Sequence, residues 1–262
     1  MTAVSDRRVP VWQKKINGNI KVAGSGSPVV FLHGAGGLMF DEFLEALAAR
    51  HTVYAPEHPG TTLGDPDAVA HLDNLWDLVL YYDELLKGLG LPAVPVIGHS
   101  FGGMVAAELA ANSPERVSKL VLMCPIGLWR DDVPIPNWMT VTPASDLPKY
   151  LFYEPDGPLA KQIFGQPDVD GQIRMIWSMA CTGKFVWPIP DKGLKKRIHR
   201  IQVPTLVLWG KQDRLVPFAY AQEFASRIPS ARVETIDQSG HLLTAEHPGR
   251  VASLIEEFLG PA

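Results

Sequence analysis

The chain has 262 residues, 46% of them hydrophobic and 20% charged, with a formal net charge of −4. That composition excludes intrinsic disorder and leaves enough apolar material for one large core. The acidic balance, and the lack of any Lys/Arg run long enough to follow a phosphate backbone, exclude nucleic acid as a partner; the densest basic stretch, Lys192 to Arg200, reads as a solvated helix face.

Two cysteines, Cys124 and Cys181, allow at most one disulfide. A core of this size does not need one, so reduced thiols and a cytoplasmic location are expected. Met1 to Gln13 carries Arg7 and Arg8 with no apolar stretch behind them and does not read as a secretory signal. No segment approaches the ~20 consecutive apolar residues that span a bilayer, so no membrane partner is expected.

In chain order, Val9 to Ile16 and Asn19 to Ala23 flank Asn17-Gly18, a dipeptide suited to a type I′ hairpin turn, which predicts an antiparallel hairpin at a sheet edge. Six short apolar runs follow: Val29 to Leu32, Thr52 to Ala55, Val94 to Ile97, Val117 to Met123, Thr205 to Trp209 and Val233 to Ile236. Lacking polar alternation, they suit strands buried on both faces of a parallel sheet. Helical patterns separate them at Asp41 to Ala49, Leu72 to Leu89, Phe101 to Asn112, Phe218 to Ile228 and Pro248 to Leu259. In the second, Leu72, Leu75, Trp76, Val79, Tyr82, Leu86 and Leu89 recur at the three-and-four spacing of an amphipathic helix. The alternation predicts an α/β fold with a mostly parallel, doubly wound sheet.

Ile126 to Gln202 breaks this rhythm. It is rich in proline, holds Trp129, Trp138, Trp177 and Trp187, and contains no convincing buried strand. A strand-to-strand crossover needs far fewer residues, so 126–202 reads as a helical cap inserted into a core of 1–125 and 203–262. Its aromatic side chains imply an apolar cavity beneath. Trp138, Tyr153, Met175 and Trp177 are candidates to line it.

Gly98-His99-Ser100-Phe101-Gly102 fits G-x-S-x-G, and it follows a strand-like run and opens a helix-like one. Such a turn needs small neighbours so that strand and helix approach closely while the serine Oγ projects above the sheet. A serine hydroxyl is a poor nucleophile until a base within hydrogen-bond reach, itself oriented by an acid, takes its proton. Asp213 lies just beyond the Thr205–Trp209 run and His241 just beyond Val233–Ile236, giving the chain order Ser, Asp, His. Asp237 is the rival acid, near a strand end and read as structural. His51, Glu57 and His58 lie close in sequence but lack metal-site spacing, so no metal is expected.

With these pieces in place, the chain resembles the α/β-hydrolase superfamily over essentially its whole length. The resemblance rests on His33-Gly34-Ala35-Gly36-Gly37, Gly98 to Gly102, Trp209 to Asp213, Gly240-His241 and Glu246-His247-Pro248. It implies an eight-stranded sheet with an inserted cap, and an oxyanion hole made by the backbone N–H groups of Ala35 and Phe101, with Gly34, Gly36 and Gly37 permitting close backbone approach. His33 and His99 would support the loop and the elbow.

The implied chemistry is acyl transfer through Ser100, His241 and Asp213, on a small to medium apolar or aromatic ester or lactone, without a cofactor, in a monomer or homodimer. The rate is expected to rise with pH through the histidine range, near ~6.5. Ser100 at the elbow excludes the aspartate-based dehalogenase and epoxide hydrolase reactions. Carbon–carbon hydrolysis of ring-cleavage products and cofactor-free perhydrolysis remain as alternatives. The ring-cleavage enzymes usually carry Trp after the catalytic histidine, where this chain has Leu242. A catalytically weak ligand receptor of the same fold is the alternative from another class.

Overall fold

The computed structural model describes residues 2–63, 65–142, 145–165 and 169–260. One sheet of eight strands forms the centre: β1 (Val4–Val11), β2 (Ile16–Ala23), β3 (Pro28–Leu32), β4 (Thr52–Pro56), β5 (Val94–His99), β6 (Val117–Met123), β7 (Thr205–Gly210) and β8 (Ala231–Ile236). Their spatial order is β1-β2-β4-β3-β5-β6-β7-β8, antiparallel at β1/β2 and β2/β4 and parallel elsewhere. β7 is buried along its whole length, as a strand covered on both faces must be, whereas β8 closes the sheet as an edge and stays half-buried.

Helices α1 (Glu42–Ala48), α2 (Leu75–Leu89), α3 (Phe101–Asn112), α7 (Ala219–Ala225) and α9 (Pro248–Leu259) cover the faces, and the short α8 (Leu243–Glu246) precedes α9. The helix expected to begin at Leu72 starts at Leu75, because the Asn74 side chain accepts the N–H groups of Trp76 and Asp77. Trp76 falls off the buried face and is half exposed.

The hairpin differs from expectation. Asn17-Gly18 lies inside β2, and the chain turns at Trp12 to Lys15, with Trp12, Gln13 and Lys14 in the left-handed region. Packing against α2 overrides the local turn preference. Gly18, opposite Val9, sits under that helix, where a β-carbon would lie 2.6 Å from Leu85 Cδ1 and 2.7 Å from the Tyr81 hydroxyl. Only a glycine in the strand lets the helix come so near.

Between β6 and β7 the chain leaves the sheet. The described part of this stretch forms α4 (Leu147–Leu151), α5 (Pro158–Phe164), α6 (Val169–Val186) and three 3₁₀ turns, Trp138–Thr140, Leu194–Lys196 and Ile198–Arg200. The basic run is thus no continuous α-helix, and part of it is not a solvated face. Arg197 makes two hydrogen bonds to the buried carboxylate of Glu108 on α3, and Arg200 donates to the carbonyl of Ala111. Both cysteines are free and buried.

Candidate active site

Parallel strands point their C-terminal ends the same way, so residues just past β3, β5, β7 and β8 meet along one rim. The chain steps outward from β3 to β4 and returns on the other side of β3 as β5, which pairs Leu32 with Gly98. The loop after β3 is therefore set beside the turn after β5, at the point where strand order reverses.

Ser100 sits in that turn at φ 54°, ψ −115°, a conformation rare for a side chain other than glycine. The neighbouring glycines make it possible. A β-carbon on Gly102 would lie 2.1 Å from the Leu32 carbonyl oxygen, so α3 can begin against the end of β3 only without one. Among the described residues, the N–H groups of Ala35 and Phe101 donate to no protein acceptor, and Phe101 opens α3, where such groups have no partner inside the helix. Of the loop glycines, Gly34 packs closely on Ser100 and His99, and Gly37 on Ser178, but Gly36 faces open space and is not needed for close approach.

The structure brings Ser100, His241 and Asp213 together. His241 Nδ1 lies 2.8 Å from Asp213 Oδ2, and Nε2 lies 2.8 Å from Ser100 Oγ. A carboxylate can only accept, so the proton sits on Nδ1 and Nε2 is free to accept from the hydroxyl. The other carboxylate oxygen, Oδ1, takes the N–H groups of Leu215 (2.9 Å) and Val216 (2.8 Å). Asp237 is mostly exposed and pairs with Lys211 at 2.7 Å, away from this relay.

The sequence pattern gives Glu246 no role of its own. Its carboxylate accepts the N–H of Gly240 and the N–H of Tyr153, each at 2.6 Å. It thereby ties the His241 loop to the stretch between β6 and β7, which Leu242 reinforces by donating to Leu151.

Three other buried histidines surround the relay, all in the neutral state. His99 Nε2 donates to the His241 carbonyl at 2.9 Å, and burial lowers its pKa to about 3. His33 donates from Nδ1 to the Gly34 carbonyl at 2.7 Å and accepts the His58 N–H at Nε2, with its pKa lowered by burial to about 4. His58 donates from Nε2 to the His33 carbonyl and accepts from Tyr82 at Nδ1, and burial again pushes its pKa well down. These roles account for every ring nitrogen of His33 and His58. His51 is held by Ser27 and Glu256, and Glu57 by Asn19 and Thr62, so the three residues near 51–58 do not converge as metal ligands.

A consequence for stability follows from these lowered values. An unfolded chain protonates its imidazoles near ~6.5, whereas the native state resists until pH 4 or below. The contribution is therefore complete above ~6.5 and declines as the pH falls toward 4, each such histidine costing up to ~1.4 kcal/mol per pH unit. Urea midpoints measured from pH 7.5 to 4.5 are expected to fall, and His99→Gln is expected to flatten that fall; an unchanged slope in the variant would remove His99 from the acid response.

One group of possible metal donors exists among the described residues: Cys124, Asp213 and His241 offer atoms within 4.8 Å of one another. Both Asp213 oxygens and both His241 nitrogens are already hydrogen-bonded, and burial beside Asp213 keeps the Cys124 thiol protonated where a metal needs thiolate. The donor set does not fit a resident metal.

The candidate lining residues occupy different environments. Trp138 is buried beside a cavity of about 100 Å³, shared with Trp129, Ile135, Met139 and Val186. Tyr153 is half-buried next to the His241 loop, and Met175 packs partly against the core. Trp177 is half exposed and donates its indole N–H to the Gly60 carbonyl, which places it at the margin of the α6 contact.

Comparison with known proteins agrees with this architecture. Residues 29–254 match the model of an alpha/beta hydrolase family, and the chain belongs to that family. It is 30% identical over 256 residues to 2-hydroxy-6-oxononadienedioate/2-hydroxy-6-oxononatrienedioate hydrolase 2 of Pseudomonas putida, covering 88% of this chain and 87% of that protein. It is 26% identical to the dihydrolipoyllysine-residue acetyltransferase component of the acetoin cleaving system of Cupriavidus necator over 90% of this chain, which spans 64% of that relative's length. Among solved structures, the naproxen esterase of Bacillus subtilis shares the fold at a TM-score of 0.75 and 17% identity, covering 99% of this chain and 92% of that one. No helix among the described residues is long and apolar enough to cross a membrane.

Proposed function

We propose that this hydrolase cleaves a carboxylic ester or lactone of a small to medium apolar substrate, with Ser100 as nucleophile, His241 as base and acid, and Asp213 as its orienting carboxylate. The observation that carries the reading is the unbroken run of 2.8 Å contacts from Ser100 Oγ through the imidazole to Asp213. As Oγ attacks the carbonyl carbon, its proton passes to His241 Nε2, and the N–H groups of Ala35 and Phe101 receive the oxyanion. Nε2 then protonates the departing alcohol. A water molecule, deprotonated by the same nitrogen, releases the acid and restores Ser100. Only protein groups and water enter these steps. Residues 126–202 act as the cap and the remaining residues as the core.

Carbon–carbon hydrolysis is the second reading, favoured by the likeness to the Pseudomonas putida protein, which is named for a dienedioate. Two features weigh against it. Leu242 follows His241 where ring-cleavage enzymes usually have Trp, and among the described residues no lysine or arginine side chain is buried. A substrate carboxylate drawn under the cap would find no enclosed cation, and an unpaired buried charge is expensive. A panel of p-nitrophenyl butyrate, a neutral lactone and a ring-cleavage dienoate decides between them. The butyrate is expected to exceed the dienoate in kcat/KM by at least ~10²-fold; the reverse order would replace ester cleavage by carbon–carbon cleavage.

A further inference from the structure

Ser100 is 7% and His241 2% exposed, and the segment between β6 and β7 packs on this rim through Phe185 against Phe101 and through the Leu151 carbonyl, which accepts the Leu242 N–H. α6 is the part of that segment bonded to the loop after β3. Ser178, buried within α6, donates its hydroxyl to the Ala35 carbonyl at 3.0 Å. Gly37, at φ 103°, makes room for it, since a β-carbon there would come 3.3 Å from Ser178 Oγ.

The position of that carbonyl gives the contact its meaning. The Ala35 N–H belongs to the planar peptide unit that also holds the Gly34 carbonyl, and His33 anchors this unit from the core. The Ala35 carbonyl belongs to the next peptide unit, and Ser178 anchors that one from α6. Ala35 is thus held on both sides, and its two backbone torsions are fixed between the anchors. Without Ser178, the turn from Gly34 to Gly37 is closed by one 3.4 Å bond from the Gly37 N–H to the Gly34 carbonyl, with two glycines free to rotate.

We propose that Ser178 is a positioning residue that couples closure of the cap to assembly of the oxyanion hole: only when α6 seats on the loop is the Ala35 N–H aimed at the developing oxyanion. This rests on the hydrolase reading above. A substrate that lets α6 settle is turned over at full rate, and one that props it open is bound but processed slowly.

The test compares the full chain with Ser178→Ala and Ser178→Thr, measuring kcat and KM on p-nitrophenyl butyrate and the rate of Ser100 phosphonylation by a fluorophosphonate. Alanine is a good helix former, so the variant is expected to fold. Deleting an oxyanion donor outright costs ~10²- to 10³-fold in kcat, and loosening one is expected to cost ~10-fold. Ser178→Ala should therefore lose ~10-fold in kcat and in phosphonylation rate with KM within ~2-fold, and Ser178→Thr should recover most of both. Wild-type kcat in Ser178→Ala, a loss confined to KM, or failure of threonine to restore the rate would each overturn the coupling while leaving the hydrolase reading intact. A wild-type chain that neither hydrolyses the ester nor reacts with the probe would overturn the hydrolase reading and the coupling with it.

Discussion

Replacing Ser100 with alanine is expected to lower kcat on p-nitrophenyl butyrate by at least ~10³-fold while leaving KM within a few-fold. The hydroxyl is the only group on the relay placed to form the acyl intermediate, 2.8 Å from a nitrogen that carries no proton. Without it, the two free N–H groups at Ala35 and Phe101 still stabilise an oxyanion formed by water, so residual hydrolysis above the uncatalysed rate should persist. The side chain is small and buried, and among the described residues His241 is the one side chain that hydrogen-bonds to it. The variant should melt close to the wild type. A variant that keeps more than a tenth of the wild-type kcat would place the nucleophile elsewhere.

Asp213→Asn is expected to cost ~10³- to 10⁴-fold in kcat with the fold intact, and the reason lies in hydrogen-bond direction rather than charge alone. The Leu215 and Val216 N–H groups both point at Oδ1, which forces the amide oxygen of an asparagine to that side. Its NH₂ group then faces His241 Nδ1, where the aspartate accepted a proton. The imidazole can meet that donor only by moving its own proton to Nε2, the atom that must accept from Ser100. The base is occupied before the reaction begins. Asp237→Asn, by contrast, should leave kcat unchanged, because that carboxylate pairs with Lys211 at the surface. Equal losses in the two variants would contradict the assignment of Asp213 as the orienting acid.

The sequence made the relay legible because each member stands just past a strand whose apolar run is unmistakable, and parallel strands place such residues on one rim. Position alone favours Asp213 over Asp237, and the structure supplies the bonds that distinguish them. What was not legible depends on contacts across long stretches of chain. Ser178 is 143 residues from Ala35, and nothing in the α6 pattern says which side faces the loop. Glu246 was visible in a motif, but its partners Gly240 and Tyr153 lie on different segments. The hairpin shows a converse failure. Asn17-Gly18 carries a strong local turn preference, and the packing of Tyr81 and Leu85 over Gly18 prevails against it.

The central claim, a serine activated by a distant histidine, is tested most directly by mass spectrometry of the chain after brief exposure to a fluorophosphonate. One adduct on Ser100 is expected, formed rapidly in the wild type and slowed at least ~10²-fold in His241→Ala, which lacks the base. An adduct on another residue, or equal labelling of Ser100 with and without the imidazole, would contradict it.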